Sequence, residues 1–300
     1  MIQLFKTFLD KLPYIRGLKR QIDLFNQNAS YPPGHYYSPI INKNEIIERE
    51  KQIWDSTKNV DEIDFNVNTQ LELINKFAAY YHDLPFEDLP NVKYRYYYNN
   101  DFYLFTDAII LYSFLRHFRP SNVIEIGSGF SSALMLDVNN LFLNNTTHLT
   151  FIEPFTERLN GLLRNDDKNS AVIIEKFIQD VDIEIFKKLL KDDILFVDST
   201  HVSKTGSDLN CILFDILPLL SSGVIIHFHD IFFNFEYPKD WVLGGRNWNE
   251  DYLLRAFLMN NNKYEILFFN DFMHNKYATS FANLPLTYKN FGGSLWLRKK

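Results

Sequence analysis

Two short segments of this chain concentrate acids and imidazoles: Phe196-Val-Asp198-Ser-Thr-His201 and Ile226-His227-Phe-His229-Asp230. In each, an apolar run stops at an acid. Carboxylates and imidazoles gathered in one cleft can take a proton, orient a hydroxyl or hold a divalent cation. Two further segments suit a nucleotide. In Glu125-Ile-Gly127-Ser128-Gly129-Phe-Ser-Ser132 the glycines let backbone pass close to a ligand at a helix N-terminus, although a tight strand-to-helix turn needs glycine as well. Glu153, in Phe151-Ile-Glu153-Pro154, follows at roughly the twenty-residue spacing at which an acid accepts ribose hydroxyls. Gln179 and Asp180 are polar groups suited to an adenine edge, and a helix N-cap at Asp180 would have the same pattern.

Side chains so far apart in sequence share a site only if strands deliver them to one edge of a sheet. From Asp101 onward, β-rich segments alternate with helical ones: Asn122 to Ile126, Leu149 to Ile152, Ala171 to Ile174, Ile194 to Val197 and Val224 to Phe228. This alternation predicts an α/β fold, a Rossmann-like doubly wound sheet with helices on both faces and ligands beyond the carboxyl ends of its strands. Tyr264 to Phe269 and Ser294 to Leu297 have no clear helix between them, which predicts an antiparallel hairpin at the sheet edge. Thr106 is expected to cap a helix that Pro120 stops, and Thr69 with Glu72 has capping-box spacing for a helix near residues 70 to 82. Residues 1–100 read as an N-terminal helical and loop extension, a substrate lid that includes His35, Tyr36 and Tyr37, and residues 101–300 as the catalytic domain.

With 37 acids against 31 bases and a net charge of -6, the chain has no global basic field, so nucleic acid is not expected as a partner. One cysteine, Cys211, excludes an intramolecular disulfide and fits a reducing compartment. No apolar run reaches the ~18 residues of a membrane span. Met1 to Phe8 lacks a continuous signal-peptide core, and the chain is read as cytoplasmic. Lys6, Lys11, Arg16, Lys19 and Arg20 form a basic N-terminal region whose default reading is a solvated helix face, with an anionic membrane surface as the alternative. A homo-oligomer is compatible with all of this.

Glycines and a ribose acid do not by themselves separate a nicotinamide dinucleotide from an adenosyl cofactor. Ser132 stands where a dinucleotide fingerprint has its third glycine, and Glu125 lies two residues before the first glycine. Here the chain resembles the class I S-adenosylmethionine-dependent methyltransferases, with their E-x-G-x-G loop, acid ending the second strand and final antiparallel hairpin, over about residues 101–300. That resemblance implies cofactor binding by Glu125, Gly127, Ser128, Gly129 and Glu153. The segments Asp198-x-x-His201 and His229-Asp230 look like signatures of metal-assisted small-molecule O-methyltransferases, catechol-type enzymes and relatives acting on sugars. The resemblance implies magnesium or manganese held by Asp198 and Asp230, with His229 or water completing the set where catechol-type enzymes have an amide and this chain has Ile231.

The expected acceptor is thus a small-molecule or saccharide hydroxyl. His201 is the expected base, three residues beyond Asp198, with an inflection near the ordinary imidazole pKa. His227 reads as a buried strand residue. Phe235, Tyr237, Trp241 and Trp248 are expected over the cleft, where they would stack an acceptor or pack on one another, and Lys204 and Asp208 as exposed helix charges. Rival readings are a nicotinamide oxidoreductase, a non-catalytic scaffold and a metal hydrolase built on His227, His229 and Asp230.

Overall fold

The computed structural model describes residues 12–300 except 56, 59, 166, 168 and 169. The chain divides into two compact units. One runs to Asp55 and takes in Leu243–Asn247, and the other comprises the rest. The division thus falls earlier than residue 100.

In the smaller unit, helix α1 (Pro13–Asn28) opens on a proline, whose missing N–H is no loss in a first turn, and has no buried residue. Arg16, Lys19 and Arg20 are exposed on it. Lys6, Lys11 and the segment Met1 to Phe8 lie outside the described residues. In the following loop Tyr31 stacks on His35 at 4.6 Å, and Tyr36 packs edge-on against Tyr37.

The larger unit is built on a seven-stranded sheet: β1 (Asn122–Ile126), β2 (His148–Ile152), β3 (Ala171–Ile174), β4 (Ile194–Val197), β5 (Ile225–Phe228), β6 (Tyr264–Phe269) and β7 (Leu295–Lys299). The order is β3-β2-β1-β4-β5-β7-β6, parallel except that β7 runs against both β5 and β6. Every residue of β4 and β5 is buried, as unbroken apolar runs covered on both faces require. The register sets the site. Ile126 pairs with Ile152 on one side and Val197 on the other, and Val197 with Phe228. Gly127, Glu153, Asp198 and His229 therefore leave the sheet side by side.

Helix α2 (Val67–Tyr81) packs on α3 (Phe105–Phe118), and α3 on α4 (Phe130–Phe142). Neither expected cap is used. Thr69 sits inside α2 and donates its hydroxyl to Asn66 Oδ1 at 2.9 Å, while Asn66, left-handed at φ 49°, is the N-cap residue. Thr106 lies in the first turn of α3, and its hydroxyl donates to the carbonyls of Thr287, at 2.8 Å, and Asn290. A distant acceptor outcompeted the local one. The stop before Pro120 is as expected, with Arg119 in the left-handed region. The connection from β6 to β7 is no plain hairpin. It carries helix α5 (Asn270–Tyr277) and two 3₁₀ turns, and β7 inserts between β5 and β6. Asn270 is held there by donating to Asp107 Oδ1 at 2.9 Å, a long-range contact invisible to periodicity.

Candidate active site

At the glycine-loop end, Gly127 has φ +82°, and a Cβ there would lie 1.7 Å from the carbonyl oxygen of Asp198. Only glycine fits where the loop crosses the end of β4. Glu125 is fully buried beneath the loop. It accepts from the hydroxyls of Ser131, at 2.5 Å, and Ser132. Burial pushes its carboxyl up to about 8 against those two bonds. Ser132 Oγ also accepts from the Gly129 N–H at 3.0 Å. The serine in place of a third fingerprint glycine thus ties loop to strand. Glu153, half-buried, accepts the N–H groups of Ser128 at 3.1 Å and Phe155 at 2.8 Å, so it too shapes the loop.

Gln179 and Asp180 are exposed. Gln179 donates to the carbonyl of Gly206 at 2.8 Å, linking the turn after β3 to the loop after β4. Asp180 closes a 3₁₀ turn instead of capping a helix; the capping side chain there is Asp182, which accepts from the Glu184 N–H at 3.0 Å.

At the other end, His201 is the centre. It is buried, with Nε2 3.5 Å from Asp198 Oδ1 and 3.9 Å from Asp230 Oδ2, and Nδ1 donates to Glu250 Oε2 at 2.8 Å. His201 (φ 60°) and Asp230 (φ 57°) both adopt left-handed backbone, a strain of about 1–2 kcal/mol each that concentrates at functional sites. Burial pulls the His201 imidazole down, but the bonds and charges of Asp198 and Glu250 outweigh it and hold its pKa well above the ordinary value. Burial would raise Asp198, yet His229, His201 and Arg158 hold it below the usual range, whereas burial prevails at Asp230 and Glu250 and raises both.

The cation set Asp198, His229 and Asp230 is not assembled as expected. His229 Nε2 stands 3.6 Å from Asp230 Oδ1, but the group facing both acids is the His201 imidazole. Among the described residues no three His, Cys, Asp or Glu side chains are arranged to hold a metal ion. The residues as they stand do not fit magnesium or manganese.

His227 is a core residue, stacked on Phe196 at 3.8 Å with Nε2 3.0 Å from Ser294 Oγ, which in turn donates to Asp107 at 2.5 Å. Asp208 is not a free helix charge. It holds the loop by accepting the Thr200 N–H at 2.9 Å and hydroxyl at 2.7 Å.

Sequence reasoning missed Glu250. It opens the nine-residue helix Glu250–Leu258, and the three residues Trp248-Asn249-Glu250 grip the His201 loop in succession. The Trp248 ring lies 4.3 Å from His201. Asn249 donates its N–H to the His201 carbonyl at 3.1 Å and accepts from the Ser203 N–H at 2.6 Å. The available signal was the acidic pair Glu250 and Asp251 in a first turn, both buried. Of the expected aromatic cover, Phe235 and Tyr237 are buried, while Trp241 and Trp248 are half-buried and meet edge-on at 5.5 Å.

A family profile described as a methyltransferase domain matches residues 124–231. An uncharacterized protein of Archaeoglobus fulgidus is 36% identical over 211 residues, covering 68% of this chain and 93% of that protein. Among solved structures, a Podospora anserina methyltransferase bound to S-adenosylhomocysteine aligns over 91% of this chain and 99% of its own, at 14% identity and TM-score 0.44. An O-methyltransferase of Streptomyces achromogenes involved in tomaymycin synthesis, in complex with S-adenosylmethionine, aligns over 86% and 96%, at 11% identity and TM-score 0.41.

Proposed function

The chain belongs to the class I S-adenosylmethionine-dependent methyltransferases, and from that premise we propose that it methylates a hydroxyl of a small-molecule or saccharide acceptor, with His201 as the base. The observation that carries this reading is the clamped imidazole. Glu250 holds Nδ1 at 2.8 Å, so the ring presents Nε2 to the space beyond β4 and β5, between Asp198 and Asp230.

When bound, the cofactor supplies an electrophilic sulfonium methyl. The residues suited to hold it are the glycine loop, whose backbone comes within reach because Gly127 and Gly129 have no side chain, and Glu153 at the end of β2. Alignment of two reactants is worth about 7–11 kcal/mol, and the register of β1, β2, β4 and β5 supplies it here. The rest of the work is moving a proton from the acceptor hydroxyl to His201 Nε2. Glu250 fixes the tautomer that leaves Nε2 free and stabilises the imidazolium that forms. Three carboxylates, Asp198, Asp230 and Glu250, line this end, which favours a neutral polyol over a phosphate or carboxylate. Trp241 and Trp248 offer ring surface for a sugar face. Cation assistance rests on the resemblance alone, and no step is assigned to it. Among the described residues no helix is long and apolar enough to cross a membrane; a cytoplasmic location remains part of the proposal.

Calorimetry on the pure chain should detect S-adenosylmethionine and S-adenosylhomocysteine, but not NAD. Transfer of a labelled methyl group to a panel of sugars and phenols should then survive exhaustive chelator dialysis with metal absent by elemental analysis. Binding of NAD alone would overturn the cofactor, and activity that is lost on dialysis and restored by magnesium or manganese would overturn the metal-free site.

A further inference from the structure

Arg158 is an exposed cation at the cofactor end with no ion pair to any described residue. Its guanidinium lies over the Phe102 ring at 3.9 Å, and Phe102 in turn stacks on Phe130, the first residue of α4, at 5.9 Å and 13°. Phe102 is itself 54% exposed while Phe130 is buried, so the Arg158–Phe102 pair faces solvent at the N-terminus of the glycine-loop helix. Arg158 also reaches over the loop, because a Cβ on Gly129 would stand 3.2 Å from its Cδ and 4.0 Å from Nη1. Its charge is felt at Asp198. The guanidinium thus lies on the Phe102 ring and beside the glycine loop, near a helix N-terminus that itself favours an anion.

We propose that Arg158, steadied by Phe102, binds the carboxylate of the cofactor's amino-acid end. This rests on the cofactor reading above and adds the residue that tells a full sulfonium amino acid from its nucleoside part. An exposed arginine with no acid to pair with, seated on an aromatic ring beside a cofactor loop, presents its fork of donors to a ligand carboxylate. Glu153 and the buried Glu125 are both acids and offer nothing to that group. Arg158 brings a cation to this loop.

Two ligands separate the possibilities: S-adenosylhomocysteine, which carries the carboxylate, and 5′-methylthioadenosine, which lacks the amino-acid end. By calorimetry, Arg158→Gln should weaken S-adenosylhomocysteine about tenfold to a hundredfold, the range of one charge-assisted pair, and leave 5′-methylthioadenosine within twofold. Arg158→Lys should fall between, keeping charge without the fork. Phe102→Leu should reproduce part of the loss. The melting midpoint of ligand-free Arg158→Gln should match wild type, since the side chain is exposed. Equal loss for both ligands, or no loss for either, overturns the assignment. Wild-type protein that binds neither ligand would instead overturn the cofactor reading on which it rests.

Discussion

The two ends of the sheet's carboxyl edge are built differently. At the cofactor end the stabilising contacts are local: Glu125 to Ser131 and Ser132, Gly129 to Ser132, Ser128 to Glu153, none spanning more than 25 residues. At the acceptor end, besides the local hold of Asp208 on Thr200, they are long-range. Glu250 reaches His201 across 49 residues and Ser294 reaches Asp107 across 187. A loop held by its own neighbours is written as a motif, whereas a side chain held by a distant helix is not.

That contrast is tested most severely at His201. His201→Ala should lower turnover about a hundredfold to ten-thousandfold, or ~3–5.5 kcal/mol of barrier, with S-adenosylhomocysteine affinity unchanged by calorimetry. Glu250→Gln should cost less, and the double variant should be no worse than His201→Ala, because Glu250 acts through the imidazole. In wild type, turnover should rise with pH through a value above the ordinary imidazole range, since the base must be neutral. Near-wild-type turnover of His201→Ala would mean that the long-range clamp serves folding alone.

Gly127→Ala joins the two ends, because the added Cβ meets the Asp198 carbonyl at φ +82°. It should destabilise the fold by about 3 kcal/mol in denaturant titration and weaken both cofactor binding and turnover. A variant that loses only cofactor affinity would show the ends to be independent.

A pH-dependent test concerns Glu125. With a folded pKa near 8 against an ordinary value of 4.5, the native state keeps a proton that the unfolded chain sheds between those values. Its contribution is fully present below pH 4.5, falls as pH rises by at most ~1.4 kcal/mol per unit, and is gone above pH 8. Glu125→Gln should flatten that part of the stability profile. A profile that keeps the wild-type slope in the variant would place the titration elsewhere.

The amino-acid sequence determined the strands, their approximate ends, the parallel sheet with its antiparallel strand, and the glycine loop with Glu153. These follow from apolar runs, turn glycines and short spacings, whose causes lie within a few residues of their effects. It also put Asp198, His201, His229 and Asp230 at one edge, because strand ends that share a register share an address. It did not determine what those side chains face. That Thr106 bonds Thr287 rather than capping, that β7 slips between β5 and β6, that His227 is stacked in the core, and that Glu250 clamps His201 were decided only when segments tens to hundreds of residues apart packed together. A buried donor takes whichever acceptor the folded chain brings within 3 Å, and burial sets its proton affinity at the same moment.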